Sequence, residues 1–141
     1  MLSDQEKALI RNIWTRLTPM ADTIGAEALL RMLTMYPGTK TYFAHLDISP
    51  RSAHLLSHGR KIVEALADGS EDIDNLMTHL APLQTYHAYQ LRIHPTNFKL
   101  LSHCMVVTLA CYMGERFTAV SHAAMDKYLS AFSAVLGEKF R

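Results

Sequence analysis

The chain has 141 residues, nearly half of them hydrophobic, with 14 basic side chains against 13 acidic ones and a formal net charge of +1. That length suits one domain, residues 1–141, able to bury about 70% of the surface its unfolded form would expose. The near-neutral balance offers no basic stripe for nucleic acid or for a charged membrane surface, and neither is expected as a partner.

The longest strongly apolar stretch, Met105 to Tyr112, falls far short of the roughly 20 residues needed to cross a bilayer. The start, M-L-S-D-Q-E-K, lacks the regions of a signal peptide, which points to a cytosolic chain. Cys104 and Cys111 fall on one predicted helix with backbones ~10 Å apart, too far for a disulfide. Two reduced thiols agree with a cytosol.

Ser3 and Glu6 form an S-x-x-E capping box, and Ile10, Ile13, Trp14 and Leu17 follow at three-four spacing, predicting a helix that ends near Pro19. A second helix, from about Asp22 to Tyr36, carries Ala28, Leu29, Met32 and Leu33 and stops at Pro37-Gly38. The segment T-K-T-Y-F-A-H-L-D-I-S-P reads as a short helical turn and a loop. From Ser52 to about Gly69, Leu55, Ile62 and Leu66 share one face with His58, and Gly59 permits close approach by another backbone.

After the polar G-S-E-D-I-D-N comes a short helix around 80 to 90, interrupted by Leu91 to Pro95. The next helix has Phe98, Leu101, Met105, Leu109 and Tyr112 along one face and ends by Gly114. Its apolar run from Cys104 to Tyr112 wraps more than one stripe, so it is either central or buried against another chain. Thr118 can cap a last helix in which Met125, Leu129, Phe132 and Leu136 recur at four, three and four. No strand pair, repeat or linker interrupts this pattern, which describes an all-α domain of about six to eight helices.

In L-Q-T-Y-H-A-Y-Q-L-R, residues 83 to 92, Leu83 and Leu91 lie four residues to either side of His87, so all three share one stripe. An imidazole on an apolar stripe is either a satisfied core residue or a ligand. A buried histidine without a partner costs ~1 to 3 kcal/mol, so His58 and His87 on two inward stripes suggest a shared polar object. A pair of satisfied core histidines explains the spacing too, and six further histidines make coincidence easy.

Zinc would call for three or four ligands in tight spacing, which no C-x-x-C or H-x-x-x-H pattern supplies. A large apolar cofactor with one metal, such as haem, fits better, although core packing accounts equally well for the apolar wall. No G-x-S-x-G elbow, Gly-rich phosphate loop or paired carboxylates favour an enzyme.

Four motifs then carry a resemblance: T-K-T-Y-F-A-H at 39–45, L-L-S-H-G-R-K at 55–61, L-R-I-H-P-T-N-F-K-L-L-S-H-C at 91–104 and D-K-Y-L at 126–129. In order and at family spacing over the whole chain, they resemble the globin family, and within it the alpha-type chains of vertebrate haemoglobins. The M-L-S start and G-A-E-A-L resemble alpha-D or embryonic-type alpha chains more than the common adult one.

The resemblance implies a globin fold of seven to eight helices enclosing a pocket for haem b (iron protoporphyrin IX). It implies that His87 is the proximal iron ligand and that His58 donates a hydrogen bond to dioxygen. Phe43 matches the phenylalanine that wedges the haem, and His45 and Lys61 match residues near its propionates. Tyr42, Ile62, Leu66, Leu83, Tyr86, Leu91, Ile93, Asn97, Phe98, Leu101, Phe132 and Leu136 complete the implied pocket.

The implied function is reversible dioxygen transport in the erythrocyte cytoplasm, by a cooperative α2β2 heterotetramer with beta-type chains. Arg31, His103, Cys104, Val107, Phe117 and His122 match the tight contact with beta. Lys40, Thr41, Tyr42, His94, Asn97, Asp126, Phe140 and Arg141 match the sliding contact and its terminal ion pairs. The alternatives are a haem redox protein handling nitric oxide or peroxide, and a cofactor-free helical interaction module.

Some residues depart from the family. His94 replaces the usual aspartate, so a hydrogen bond of the high-affinity interface is lost or rebuilt. Phe140 replaces tyrosine, and without the hydroxyl the C-terminal tail is held less firmly in the low-affinity state. Tyr86 replaces leucine before His87, where it either meets the haem edge, caps a backbone carbonyl or simply fills leucine's place. Phe132 replaces a smaller residue and is expected to crowd the haem side of the last helix.

Overall fold

A computed structural model describes residues 2–44, 46–87 and 94–138. Among these, six α-helices follow one another with no strand: α1 (Asp4–Leu17), α2 (Ala21–Met35), α3 (Ala53–Ser70), α4 (Leu76–Thr85), α5 (Thr96–Met113) and α6 (Ala119–Gly137). Short 3₁₀ turns at Thr18–Met20, Pro37–Phe43, Ile73–Asn75 and Gly114–Arg116 join them. The all-helical architecture is the expected one, and among the described residues the connections at Pro37–Phe43 and Ile73–Asn75 are 3₁₀ turns and not α-helices. Their backbone is too short or too rich in Pro, Gly and Asp to propagate an α-helix.

The helix starts follow from side-chain caps. Ser3 Oγ accepts from the Glu6 N–H at 3.1 Å, and the Ser3 N–H donates back to Glu6 Oε1 at 2.9 Å, so two orphan amides of α1 are satisfied. That Ser3 N–H, followed by the Lys127 ammonium 2.9 Å from Glu6 Oε2, holds the Glu6 carboxyl down at about 2. Ser52 caps α3 through the Leu55 N–H and Thr118 caps α6 through the Ser121 N–H, each at 3.2 Å.

Two apolar clusters make the core. The larger gathers Ile10, Trp14, Ile24, Val63, Leu66, Leu80, Met105, Leu109, Met125, Leu129 and Leu136 from all six helices. The smaller joins Ala26, Leu29, Met32, Leu33, Leu55 and Cys104. Ile62 of α3 and Leu101 of α5 pack against both clusters, which marks the seam between them.

Helices α2 and α3 cross at two glycines. A Cβ on Gly25 would overlap the carbonyl of Gly59, and a Cβ on Gly59 would overlap the backbone N of Ala26. Only glycine lets the two backbones meet here, and the crossing fixes the position of His58, one residue before Gly59. Elsewhere polar ties hold pairs of helices. Tyr128 Oη donates to the Leu66 carbonyl at 2.6 Å, linking α6 to α3, and burial pushes its phenol above the usual range. Ser102 and Ser133 hydroxyls meet at 2.7 Å between α5 and α6.

Cys104 and Cys111 lie on α5 as free thiols, as their spacing requires. No helix among the described residues is long and apolar enough to cross a membrane.

Candidate functional site

His58 lies on α3 and His87 stands just beyond α4, close enough for His87 to act electrostatically on His58. Phe43, at the end of the 3₁₀ turn Pro37–Phe43, sets its ring edge-on to His58, with centroids 5.6 Å apart and planes at 83°. Phe98, in the first turn of α5, meets His87 in the same manner at 5.5 Å and 67°. Phe43, Ile62, Leu83, Phe98 and Leu101 are all half-buried, which leaves apolar surface on the elements that carry and contact the two imidazoles.

The state of each imidazole follows from its surroundings. His87 Nδ1 donates to the Leu83 carbonyl at 2.8 Å, which fixes the proton on Nδ1 and leaves the lone pair on Nε2. That is the arrangement a metal-ligating histidine needs. Tyr86 and His87 leave α4 in a π-type turn, a local irregularity common at functional sites. Burial lowers the His58 pKa below its ordinary 6.5, and the neighbouring basic side chains of His54, Lys61 and His87 lower it further. His58 is therefore neutral at physiological pH and can offer one N–H donor.

One committed imidazole with a free Nε2, one neutral imidazole near it and apolar surface on the elements that carry and contact them fit a large apolar cofactor carrying a single metal. Among the described residues no group of three or more His, Cys, Asp or Glu could hold a bare metal ion.

The remaining pocket residues distribute unevenly. Lys61 and Leu83 line an open groove of about 280 Å³ between α3 and α4, together with Glu64, Asp68 and His79. Tyr42 Oη accepts from Asn97 Nδ2 at 3.1 Å and from the His94 N–H at 3.4 Å, tying the 3₁₀ turn to the start of α5. Leu66 and Leu136 are buried in the larger cluster. Phe132 is buried too, but its ring meets Tyr128 edge-on at 5.9 Å and lies over Gly69. Lacking a Cβ, Gly69 makes room for it, so the extra bulk goes into the α3–α6 contact.

Tyr86 is half-exposed, with its ring edge-on to His87 at 5.9 Å. His45, Leu91, Ile93, Phe140 and Arg141 lie outside the described residues.

Of the residues expected at subunit contacts, Lys40, Thr41, His94, His103, His122 and Asp126 are exposed, while Val107 and Phe117 are half-buried. Phe117 and His122 stack edge-on at 5.5 Å. Arg31 donates through Nη1 to Thr108 Oγ1 at 2.6 Å. Cys104 differs from the rest: it is fully buried inside the chain in the smaller cluster, and burial pushes its thiol up. His94 also accepts at Nδ1 from the Thr96 N–H at 3.2 Å, so its ring serves the start of α5.

Sequence reasoning missed Gln84. It is 2% exposed and donates through Nε2 to the Val135 carbonyl at 2.5 Å. Leu80, Gln84 and His87 recur at four and three residues, so a row beside the Leu83–His87–Leu91 stripe carried this polar residue.

The globin family profile matches residues 26–136. Haemoglobin subunit alpha-D of Phasianus colchicus colchicus is 49% identical over 141 residues, covering all of both chains. The same subunit of Chelonoidis carbonarius is 48% identical, again over all of both chains. Haemoglobin subunit zeta of Homo sapiens is 49% identical over 140 residues, 99% of each chain. An all-helical fold with two neighbouring histidines, a profile across most of the chain and relatives alike from end to end lead to one conclusion: the chain belongs to the globin family.

Proposed function

We propose that the chain is an alpha-type haemoglobin subunit: it binds haem b, carries dioxygen reversibly in the erythrocyte cytoplasm, and assembles with beta-type chains into an α2β2 heterotetramer. Residues 1–141 act as a single globin domain, and the role is that of a carrier, not an enzyme. The observation that carries the reading is the Nδ1–H of His87 held by the Leu83 carbonyl, which presents Nε2 as the one protein ligand. The full-length similarity to haemoglobin subunits alpha-D and zeta supports the same conclusion.

Haem, when bound, supplies the iron at which dioxygen attaches reversibly. His87 would hold the group through Nε2. His58, kept neutral by burial, would offer a hydrogen-bond donor to bound dioxygen. Phe43, Ile62, Leu66, Leu83, Phe98, Leu101 and Leu136 exclude water around the site, and Lys61 supplies positive charge at its edge for the propionates. His45, Leu91 and Ile93 belong to the same pocket in this reading.

Arg31, His103, Val107, Phe117 and His122 form the tight contact with a beta-type chain, with Cys104 buried behind them. Lys40, Thr41, Tyr42, His94, Asn97, Asp126, Phe140 and Arg141 form the contact that shifts between two quaternary states of different affinity.

Absorption spectra and oxygen equilibrium curves, taken with a beta-type chain at two pH values, test the reading. A reversible oxygen-dependent spectrum with a sigmoidal curve is expected. No haem band, or a spectrum with both histidines on iron and no response to oxygen, would overturn it.

A further inference from the structure

The segment that leads to His87 is weak in its own right. Pro82 stands inside α4 and removes one rung of its hydrogen-bond ladder. Four residues later, Tyr86 and His87 have already passed into a π-type turn. Gln84 lies between these two irregularities and is almost fully buried.

Its amide is spent on another helix. Nε2 donates to the carbonyl of Val135 in the last turn of α6, 51 residues away in sequence, and lies 3.7 Å from Met77 Sδ on its own helix. The Val135 carbonyl also accepts from the Glu138 N–H, at a long 3.3 Å, which leaves its second lone pair for the Gln84 amide, and carbonyls of a last turn carry the negative end of the helix dipole. A buried amide N–H is a suitable partner for such a group, and one of the few polar ties by which α4 is fastened to the body of the chain.

Resting on the reading of His87 as the iron ligand, we propose that Gln84 is a positioning residue for His87, clamping α4 to the last turn of α6 and so setting how the imidazole is presented. The clamp acts three residues before His87 and one residue after Leu83, whose carbonyl orients the ring. Releasing it lets the Leu83–His87 turn shift as a unit, so the ring's internal hydrogen bond survives while its position against Phe98 does not.

The test uses the full chain loaded with haem, in the ferrous form without added ligand. The readouts are the iron–histidine stretching band in resonance Raman spectra and amide hydrogen exchange over residues 76–87. Gln84→Met fills the same space without a donor, and Gln84→Ala removes both; the first keeps the test valid if the second does not fold. Loss of one buried hydrogen bond is expected to speed local exchange about five- to tenfold. The stretching band is expected to shift in both variants.

An unmoved band in Gln84→Met overturns the positioning role, even if exchange accelerates, because Gln84 would then only stabilise α4. A parent chain without the band removes the ligand assignment itself, a failure distinct from a parent and variant that share one band.

Discussion

The Leu83 carbonyl lies 2.8 Å from His87 Nδ1, a backbone acceptor one helical turn before the imidazole it orients. It decides which ring nitrogen is available, because a proton held on Nδ1 leaves Nε2 with the lone pair. His58 has no such commitment to its own helix and is held instead by burial and by Phe43. The two histidines should therefore fail differently. His87→Ala is expected to lose haem on gel filtration, with added imidazole restoring part of the absorption band. His58→Ala is expected to keep haem and to oxidise faster in air. Full haem retention by His87→Ala would sink the ligand assignment.

The crossing of α2 and α3 makes a sharp stability prediction. In Gly59→Ala the new methyl meets backbone of Gly25 and Ala26, which cannot rotate away as a side chain would. Separating the two helices should cost about 1 to 3 kcal/mol, the usual range for overpacking a tight contact. Because His58 precedes Gly59, the same shift moves the imidazole and should alter oxygen dissociation as well. Urea unfolding gives the first quantity, and an unchanged midpoint would show that the helices part more easily than their contact implies.

Acid should weaken the fold through His58. Its folded pKa lies below the ordinary 6.5, chiefly because of burial and then because of His54, Lys61 and His87. Above about 6.5 both folded and unfolded chains leave it neutral, and it adds no pH dependence. As pH falls through that value the unfolded chain takes up a proton that the folded chain resists, so stability drops until the lower folded value is reached. His58→Leu should lose less stability than the parent between about pH 7.5 and pH 5.5 in chains without haem. Equal losses would assign the acid sensitivity to other groups.

Much of this was legible because its causes are local. Ser3 with Glu6, Ser52 and Thr118 announce three helix starts by side chains that reach their own backbone. The stripes that singled out His58 and His87 depend only on helical period. What stayed hidden depends on chain segments far apart. The Gln84–Val135 bond spans 51 residues, and no period reveals which helix end a buried amide will meet. Phe132 could not be aimed in advance, because its direction is set by the space above Gly69. Cys104 shares the apolar run that suggested a subunit contact, yet it lies on the flank of α5 turned into the smaller cluster. Helix α4 starts at Leu76, earlier than expected, because Leu76 and Leu80 anchor it within the core.

The last relationship bears on assembly. Arg31 of α2 reaches across to α5, where Thr108 Oγ1 accepts from Nη1 while its own hydroxyl donates to the Cys104 carbonyl at 2.8 Å. Thr108 is fully buried, so it fixes the guanidinium from beneath and spares part of the entropy a free arginine loses on binding. Arg31 also places Nη2 3.8 Å from the exposed Cys111, on the face expected to meet a beta-type chain. Thr108→Val keeps the volume and removes both hydroxyl bonds, which should cost the isolated chain about 1 kcal/mol. If Arg31 meets the partner, that variant should also weaken association with beta, by about three- to tenfold. Arg31→Ala should weaken it further, as arginine truncations in interface centres do. Association measured by sedimentation decides the matter: a Thr108→Val chain that assembles as tightly as the parent would show that Arg31 owes nothing to this support.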